Sequence, residues 1–337
     1  MNIYVAYTGG TIGMVDSPQG YVPDAAFAQA ISINLQSYYS DYEYTVHCYP
    51  DLIDSSNATP VDWRIIAADI ESHWHEYDAF LVLHGTDTMA YTSSALAFMF
   101  QNPSKSIVVT GSQIPMVKQR NDALDNVYGA VDALVQLDNQ GEKGVFLYFG
   151  GKLIEATRAR KTNTEALSAF SSPHYPLRGE LGIDWQWSKS TPIVKNQSKE
   201  LIQVPNMISG AVTLLPIFPG VQAEQLSALL TADVKGAVLL SYGAGNGPDK
   251  NQVLLDLFKQ ATENGCVIVN VSQCGAGSIA EGAYAVGSAL QKVGVISGQD
   301  MTYEAAFTKL HFLIGLGCSP EAVRSSFAEV LASEVVL

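Results

Sequence analysis

The chain is short of basic residues: 19 Lys and Arg stand against 33 Asp and Glu, a formal net charge of −14 at pH 7. A surface that tracks nucleic-acid phosphates or anionic lipid needs clustered Lys and Arg, so both partner classes are disfavoured. Cysteine is scarce, with four residues at positions 48, 266, 274 and 318 and no Cys-x-x-Cys pair. That removes a disulfide scaffold and a zinc-type ligand set and leaves reduced thiols, most of them core residues. No apolar run approaches the ~20 residues that a membrane-spanning helix requires. A secretory leader needs a basic start and an apolar stretch where residues 3–13 already read as a strand and a glycine turn, so a cytoplasmic location is expected. Neither Gly-x-Ser-x-Gly nor His-Glu-x-x-His occurs, and the six histidines are scattered. His73 and His75, two positions apart on a helix, face different ways, which disfavours a metal pair.

What is present is a well-buried globular chain. Its 337 residues are 47% hydrophobic and only 15% charged, long for one core and natural for two. Buried-type strands are expected at Ile3–Tyr7, Tyr44–Tyr49, Ala79–His84, Ser106–Thr110 and Gly144–Phe149. Helical spacing marks Ala25–Tyr38, Val61–His75, Ala90–Phe100 and Asp122–Leu137, the last through Leu124, Val127, Val131 and Leu134. Val145–Phe149, Gly150-Gly151 and Lys152–Ile154 read as a hairpin, which makes the sheet mixed. From residue 188 to 206 the composition turns to Ser, Lys, Gln, Asn and Pro, a linker pattern. Beyond it, strands at Ala211–Phe218, Ala237–Tyr242, Val267–Val271 and Gly294–Ile296 alternate with helices at Gln222–Leu230, Gln252–Asn264, Met301–Gly315 and Pro320–Ala332. The expected fold class is therefore α/β, with a larger N-terminal domain (1–187) on a mixed sheet and a smaller parallel C-terminal domain (207–337).

Two loops stand out. The strand Ile3–Tyr7 stops at Thr8-Gly9-Gly10-Thr11, where two glycines leave backbone amides unobstructed between two hydroxyls. The strand Ala79–His84 stops at Gly85-Thr86-Asp87-Thr88. In an open α/β sheet ligands bind beyond the carboxyl ends of strands, so both loops lie where chemistry is expected. Taken singly, each has a structural reading: a tight turn for the first, capping of the following helix for the second. Val15–Asp24, with Pro18, Gly20 and Pro23, cannot be a central strand or a helix, and such loops beside active sites are often lids. Its Tyr21 is otherwise a packing anchor. Arg158, Arg160 and Lys161 read on their own as a surface charge cluster. Asn246, flanked by glycines, fits a left-handed turn. Gly275 to Ala280 matches Gly-x-Gly-x-x-Ala after a strand with Asp300 further on, a lone dinucleotide-type match that too little following chain supports.

The motifs TGGTIG (Thr8–Gly13), DSSNATP (Asp54–Pro60), HGTDT (His84–Thr88), TGSQIP (Thr110–Pro115) and SYGAGN (Ser241–Asn246) together resemble the asparaginase family of threonine amidohydrolases, and more specifically its bacterial cytoplasmic (type I) branch. The resemblance spans nearly the whole chain. It implies a two-domain asparaginase-like fold and hydrolysis of L-asparagine to L-aspartate and ammonia through an acyl group on Thr11. Thr86, Asp87 and Lys161 would form the second half of the machine, and Tyr21 would close over the substrate. Asp54, Ser55 and Ser56 would hold the substrate's α-carboxylate, with further contacts from Thr86, Asp87 and Asn246, the last to a neighbouring subunit's site. No cofactor and no metal are implied, and the assembly is expected to be a homodimer or homotetramer. Whether Lys161 or Tyr21 takes the first proton stays open at this level. Alternatives are a glutaminase or other side-chain amidohydrolase, and a non-catalytic asparagine- or dinucleotide-binding protein.

Overall fold

The structure, a computed structural model, describes residues 1–18, 20–188, 199–279 and 285–336. The chain divides into two compact units, Met1–Ser172 with Pro176–Val204, and Pro173–Tyr175 with Pro205–Leu337. Most of the expected linker, 189–198, lies outside the described residues.

In the first unit, β1 (Asn2–Gly9) leads through a single 3₁₀ turn, Thr11–Gly13, into β2 (Met14–Ser17) and β3 (Gly20–Pro23). Then come α1 (Phe27–Tyr38), β4 (Glu43–Ile53), α2 (Pro60–Ser72), β5 (Ala79–Leu83), α3 (Met89–Met99), β6 (Phe100–Gln101), β7 (Ser106–Thr110), α4 (Ala123–Asn139), β8 (Val145–Phe149) and β9 (Lys152–Glu155). Short strands follow: β10 (Arg160–Lys161), β11 (Phe170–Ser171), β12 (Gly179–Leu181), β13 (Trp185–Trp187) and β14 (Leu201–Ile202). Eight strands form one sheet in the order β13-β12-β9-β8-β7-β5-β1-β4. From β4 to β8 the pairs are parallel, and from β8 to β13 antiparallel, so the sheet is mixed as the hairpin pattern requires.

Central strands are apolar on both faces because helices cover both. Ile3, Val5 and Tyr7 of β1 join Leu81 and Leu83 of β5 in the core that Phe27, Ile31 and Leu35 of α1 and Val127, Val131 and Leu134 of α4 complete. On the opposite face Trp74 stacks on Phe80, with ring centroids 5.1 Å apart. There the Asp69 carboxylate accepts from the hydroxyls of Tyr4 (2.9 Å) and Tyr49 (2.8 Å). Burial and that carboxylate push both phenols above their usual range. Helix α2 starts at Pro60, and Asp62 accepts from the Thr59 N–H (2.7 Å) and hydroxyl (2.8 Å), a capping arrangement legible in the sequence.

The parallel order β4-β1-β5-β7-β8 places the first strand between the second and third to appear along the chain. The direction of winding therefore reverses between β1 and β5, and the crevice beyond their carboxyl ends is the topological switch point. The residues following β1 and β5 are the two Gly-Thr loops.

The expected loop Val15–Asp24 is a two-stranded antiparallel ribbon, β2 with β3, standing apart from the large sheet. Its prolines and glycines keep it out of the sheet without preventing a hairpin.

The second unit contains β15 (Val212–Pro216), α5 (Ala223–Ser227), β16 (Gly236–Ser241), α6 (Gln252–Glu263), β17 (Val267–Ser272), α7 (Ala285–Lys292), β18 (Ile296–Ser297), α8 (Tyr303–Gly315) and α9 (Pro320–Phe327). Its four strands pair in chain order, all parallel. Helix α7 has no clear sequence signal, since Gly287 and Ser288 interrupt its apolar period. Helix α9 stops at Phe327, short of the expected Ala332: the carbonyl of its last residue is taken by a lysine, and the N–H groups of Leu331 and Ala332 go to the Glu334 carboxylate instead of back into the helix. Lys309, wholly buried on α8, donates to Phe327 O (2.8 Å), Glu329 O (2.6 Å) and Glu334 Oε1 (2.5 Å). Burial pulls this ammonium below its ordinary range, and the Glu334 carboxylate opposes that shift. Among the described residues no helix is long and apolar enough to cross a membrane.

Two residues further along α8, His311 is buried against Phe307 and burial lowers its pKa from 6.5 to about 4. The folded state therefore binds fewer protons than the unfolded state between those values, and stability falls as pH drops through that window. The loss expected on going from pH 7 to below pH 4 is about 3 kcal/mol from this group. Thermal melts across pH 7 to 4.5 should show the decline, and His311→Leu should flatten it; an unchanged slope in the variant contradicts the assignment.

Candidate active site

Three loops meet at the switch point, and glycine sets how closely. Gly9 and Gly10 take φ values of 127° and 86°, a region that favours glycine. A Cβ on Gly9 would lie 2.4 Å from Ile53 O, and one on Gly10 2.3 Å from the Gly85 backbone nitrogen. A Cβ on Gly85 would lie 2.4 Å from Ser55 Oγ. The loops after β1, β4 and β5 thus pack main chain on main chain, and the Gly10 N–H donates to Ile53 O (3.1 Å).

The two hydroxyls of the first loop divide in role. Thr8 is buried and donates to Leu83 O (2.9 Å), a structural bond between β1 and β5. Thr11, the first residue of the 3₁₀ turn, is partly exposed. In the loop after β5, Thr86 is buried, and its Oγ1 receives a hydrogen bond from Lys161 Nζ at 2.7 Å. The same ammonium donates to Asp87 Oδ1 at 2.7 Å. The Lys161 side chain is 17% exposed and that of Asp87 60%, so the pair runs from the interior of the site to its mouth.

Capping does not explain these side chains. Thr88 is the N-cap of α3, yet its hydroxyl donates to Ser55 O (2.8 Å), and the Asp87 N–H donates to Ser55 Oγ (3.3 Å). Ser55 is buried between the loops, whereas Ser56 is exposed and its N–H donates to Asp54 Oδ1 (3.1 Å). Asp54 is thereby the cap of the short 3₁₀ turn Ser55–Asn57.

The basic run is not a solvated cluster, since Arg158 is completely buried. The segment before it is fastened to α3, where Ser94 donates to Ala156 O (3.1 Å). Lys161 then pairs with Phe170 across β10 and β11, which fixes its backbone.

Tyr21 sits on β3, 47% exposed, opposite Asp16 in the ribbon. The Lys118 ammonium lies 5.2 Å from its ring centroid and 2.7 Å from Asp16 Oδ2. The ribbon is anchored at its base by the Asp24 N–H on Gly13 O (3.0 Å), directly after the Thr11 turn.

Asn246 belongs to the second unit. The left-handed conformations are taken by its neighbours Gly243 and Gly245, with φ of 46° and 100°, and not by Asn246. It closes a bridge with Tyr242, and its Oδ1 is buried without a hydrogen-bond partner among the described residues. In the Gly275–Ala280 run, Ala280 lies outside the described residues. Asp300 Oδ1 accepts the Val336 N–H at 3.1 Å, a structural use of that carboxylate.

Two residues of the site escape sequence reasoning. His84, fully buried, has Nδ1 2.8 Å from Gly85 O and Nε2 3.1 Å from the Thr92 hydroxyl. A carbonyl only accepts, so Nδ1 carries the proton, and burial holds the ring's pKa below its usual value. Gln113 accepts the Thr86 hydroxyl proton through Oε1 (3.2 Å). The signals available were His84 immediately before the Gly-Thr pair and Gln113 within TGSQIP.

Two family models cover the chain: "Asparaginase, N-terminal" matches residues 2–192, and "Glutaminase/Asparaginase C-terminal domain" matches residues 211–327. The chain belongs to the asparaginase family. Within it, the chain is 40% identical to L-asparaginase 1 of Escherichia coli over 99% of its own length and 98% of that protein. The crystal structure of L-asparaginase I from Vibrio cholerae superposes with a TM-score of 0.87 at 39% identity, covering 100% of this chain and 99% of that one. The thermostable L-asparaginase of Thermococcus kodakarensis superposes with a TM-score of 0.88 at 28% identity, covering all of both chains. These likenesses agree with the two-domain asparaginase fold, its larger mixed sheet and its smaller parallel one.

The glycine packing makes a direct prediction. Gly10→Ala strains a positive φ and drives a Cβ into the Gly85 backbone, so the Thr11 loop must move. Calorimetry should show a loss of several degrees in Tm. Turnover should fall by at least ~10²-fold, since a misplacement of about 1 Å costs that much; a variant with normal melting and turnover contradicts the packing argument.

Proposed function

We propose that this asparaginase-family chain hydrolyses L-asparagine to L-aspartate and ammonia through an ester on Thr11. The observation that carries the reading is the Lys161 ammonium bonded to both Thr86 and Asp87, beside the loop that bears Thr11. Threonine is a weak nucleophile until a neighbouring group takes its proton. Thr11 Oγ attacks the side-chain amide carbon, the C–N bond breaks, and the proton lost by the hydroxyl leaves with ammonia. Water then attacks the ester carbon, the bond to Thr11 Oγ breaks, and a proton returns to that oxygen. Tyr21 serves the first step at the nucleophile, and Lys161 with Thr86 and Asp87 serves the water step. The Gly10 N–H is already given to Ile53 O, so a backbone amide near Thr86 is the donor for the developing oxyanion, worth ~3 kcal/mol in such chemistry.

Asp54, Ser55 and Ser56 are assigned to the segment that receives the α-carboxylate, with short hydroxyls as donors. Asn246, whose buried oxygen has no partner among the described residues, is assigned to a substrate contact at a neighbouring subunit's site. The catalytic loops all fall in the N-terminal domain, 1–187, joined by the linker 188–206 to the C-terminal domain, 207–337. We assign the protein to the cytoplasm as a homodimer or homotetramer. Glutamine differs from asparagine by one methylene, a discrimination of only ~1–3 kcal/mol in a pocket, so ammonia release from the two amides is compared in steady state. A dinucleotide-binding role has little support, since Asp300 is already bonded to the main chain.

Removing the nucleophile tests the covalent route. Thr11→Ala should fold normally and lose at least ~10³ in kcat; an aspartyl group found by mass spectrometry on another residue of the wild type overturns the assignment. A double-mutant cycle tests the relay. Lys161→Met and Asp87→Asn should each cost ~10²–10⁴ in rate, with the double variant scarcely worse than the poorer single. Losses that multiply independently would show that the two do not act as a unit.

A further inference from the structure

Gln113 is held more firmly than a loop side chain needs to be. Its N–H donates to Asp122 Oδ2 (3.0 Å) and the Ile114 N–H to Asp122 Oδ1 (2.9 Å). Asp122 is buried, and Asn126 ties it (3.1 Å) to Gly111 O (2.9 Å). The backbone from which Gln113 projects is thus clamped to the start of α4.

The amide's orientation follows from its surroundings. Nε2 lies 3.1 Å from Thr164 O and 3.4 Å from Ala166 O. Both are acceptors only, so the end facing them is the NH₂ and the end facing Thr86 is the oxygen. An amide oxygen cannot donate, so the bond of 3.2 Å takes the Thr86 proton. Lys161, which is bonded to the Asp87 carboxylate as well, donates into one Thr86 lone pair. A hydroxyl has one proton and two lone pairs. The single lone pair left on Thr86 can only accept.

We propose that Gln113 is a positioning residue for the water step: by fixing where the Thr86 proton points, it presents Thr86 as the acceptor that orients the hydrolytic water. The same side chain holds the Thr164–Ala166 segment, which follows Lys161. The inference rests on the hydrolase reading above. In the step concerned, the water oxygen bonds to the ester carbon, the Thr11 Oγ–C bond breaks, and one water proton passes to Thr11 Oγ, while Thr86 accepts a hydrogen bond from the water and keeps its own proton on Gln113. With a non-accepting neighbour, the Thr86 hydroxyl turns its proton toward the water and the orientation is lost.

The test separates deacylation from acylation. Gln113→Met keeps the length but removes the acceptor, and it is measured in the full-length enzyme with asparagine. Slowed deacylation lowers kcat and KM together, so kcat should fall at least ~10-fold with kcat/KM within ~3-fold of wild type. Rapid-quench sampling should show a burst of ammonia near one per site ahead of aspartate. Gln113→Glu, which keeps an acceptor facing Thr86, should recover most of the lost kcat without the burst. A Gln113→Met enzyme with wild-type kcat, one whose kcat/KM falls as far as its kcat, or a Gln113→Glu enzyme equally impaired overturns the proposal. Should the methionine variant not fold, Gln113→Ala, which only removes atoms, is measured the same way. Absence of any trapped aspartyl ester in the wild type defeats the hydrolase reading itself; a trapped ester with no burst in the variant defeats only the role of Gln113.

Discussion

The approach of Gly10 to Gly85, backbone against backbone, is the constraint on which the rest of the site depends. Adjacent strands lie only about 4.8 Å apart, so two loops rising side by side from β1 and β5 must separate unless neither carries a Cβ at the point of contact. Each of these glycines is followed directly by a threonine, Thr11 in one loop and Thr86 in the other. The glycine contact therefore fixes the starting points of both hydroxyl-bearing residues, and Ser55 closes the third side by sitting where a Gly85 side chain would be. From Thr86 a polar chain then runs to Lys161 and Asp87 in one direction and to Gln113 and the Thr164 carbonyl in the other. Such networks polarise one another in a partly dry interior, so the order of each member depends on its neighbours.

The strands and long helices were legible because their physics is local. A run apolar on both faces can only be a central strand between helix layers, and Phe27, Ile31 and Leu35 mark one helix face by spacing alone. The loops of the candidate site were legible as Gly-Thr pairs after such strands. The family resemblance singled out Thr11, but the residue pattern of the loop gave no physical reason to prefer it to Thr8; the pairing of β1 with β5 supplies one, since Thr8 faces Leu83 O while Thr11 stays open. Gln113 stands 27 residues from Thr86 along the chain, with nothing local to link them. Arg158 misled in the opposite sense, since charge runs are usually solvated and this one is buried. At Asn246 the two glycines before it, Gly243 and Gly245, absorb the turn, which frees the asparagine from the left-handed conformation its setting invited.

The ribbon that carries Tyr21 is built on a different principle from the loops beneath it. It belongs to no larger sheet, and its tie to the 111–122 segment is an exposed lysine between a carboxylate and an aromatic ring. Exposed ion pairs of this kind add little stability and are weakened by salt. A rigid floor under a cheaply opened cover suits a reaction that must admit a zwitterion and release ammonia.

The buried bond between Lys309 and Glu334 has a consequence for how the protein comes into being. A lysine wholly inside the second unit must find its carboxylate and two carbonyls in residues 327–334 before that core can close. During synthesis, the residues of the first unit up to Val204 have all emerged long before Glu334 is made. Domains fold as units as they leave the ribosome, so the first unit can close while the second still waits, its ammonium hydrated and its parallel strands unsealed. The second unit is thus the late-closing half of the nascent chain.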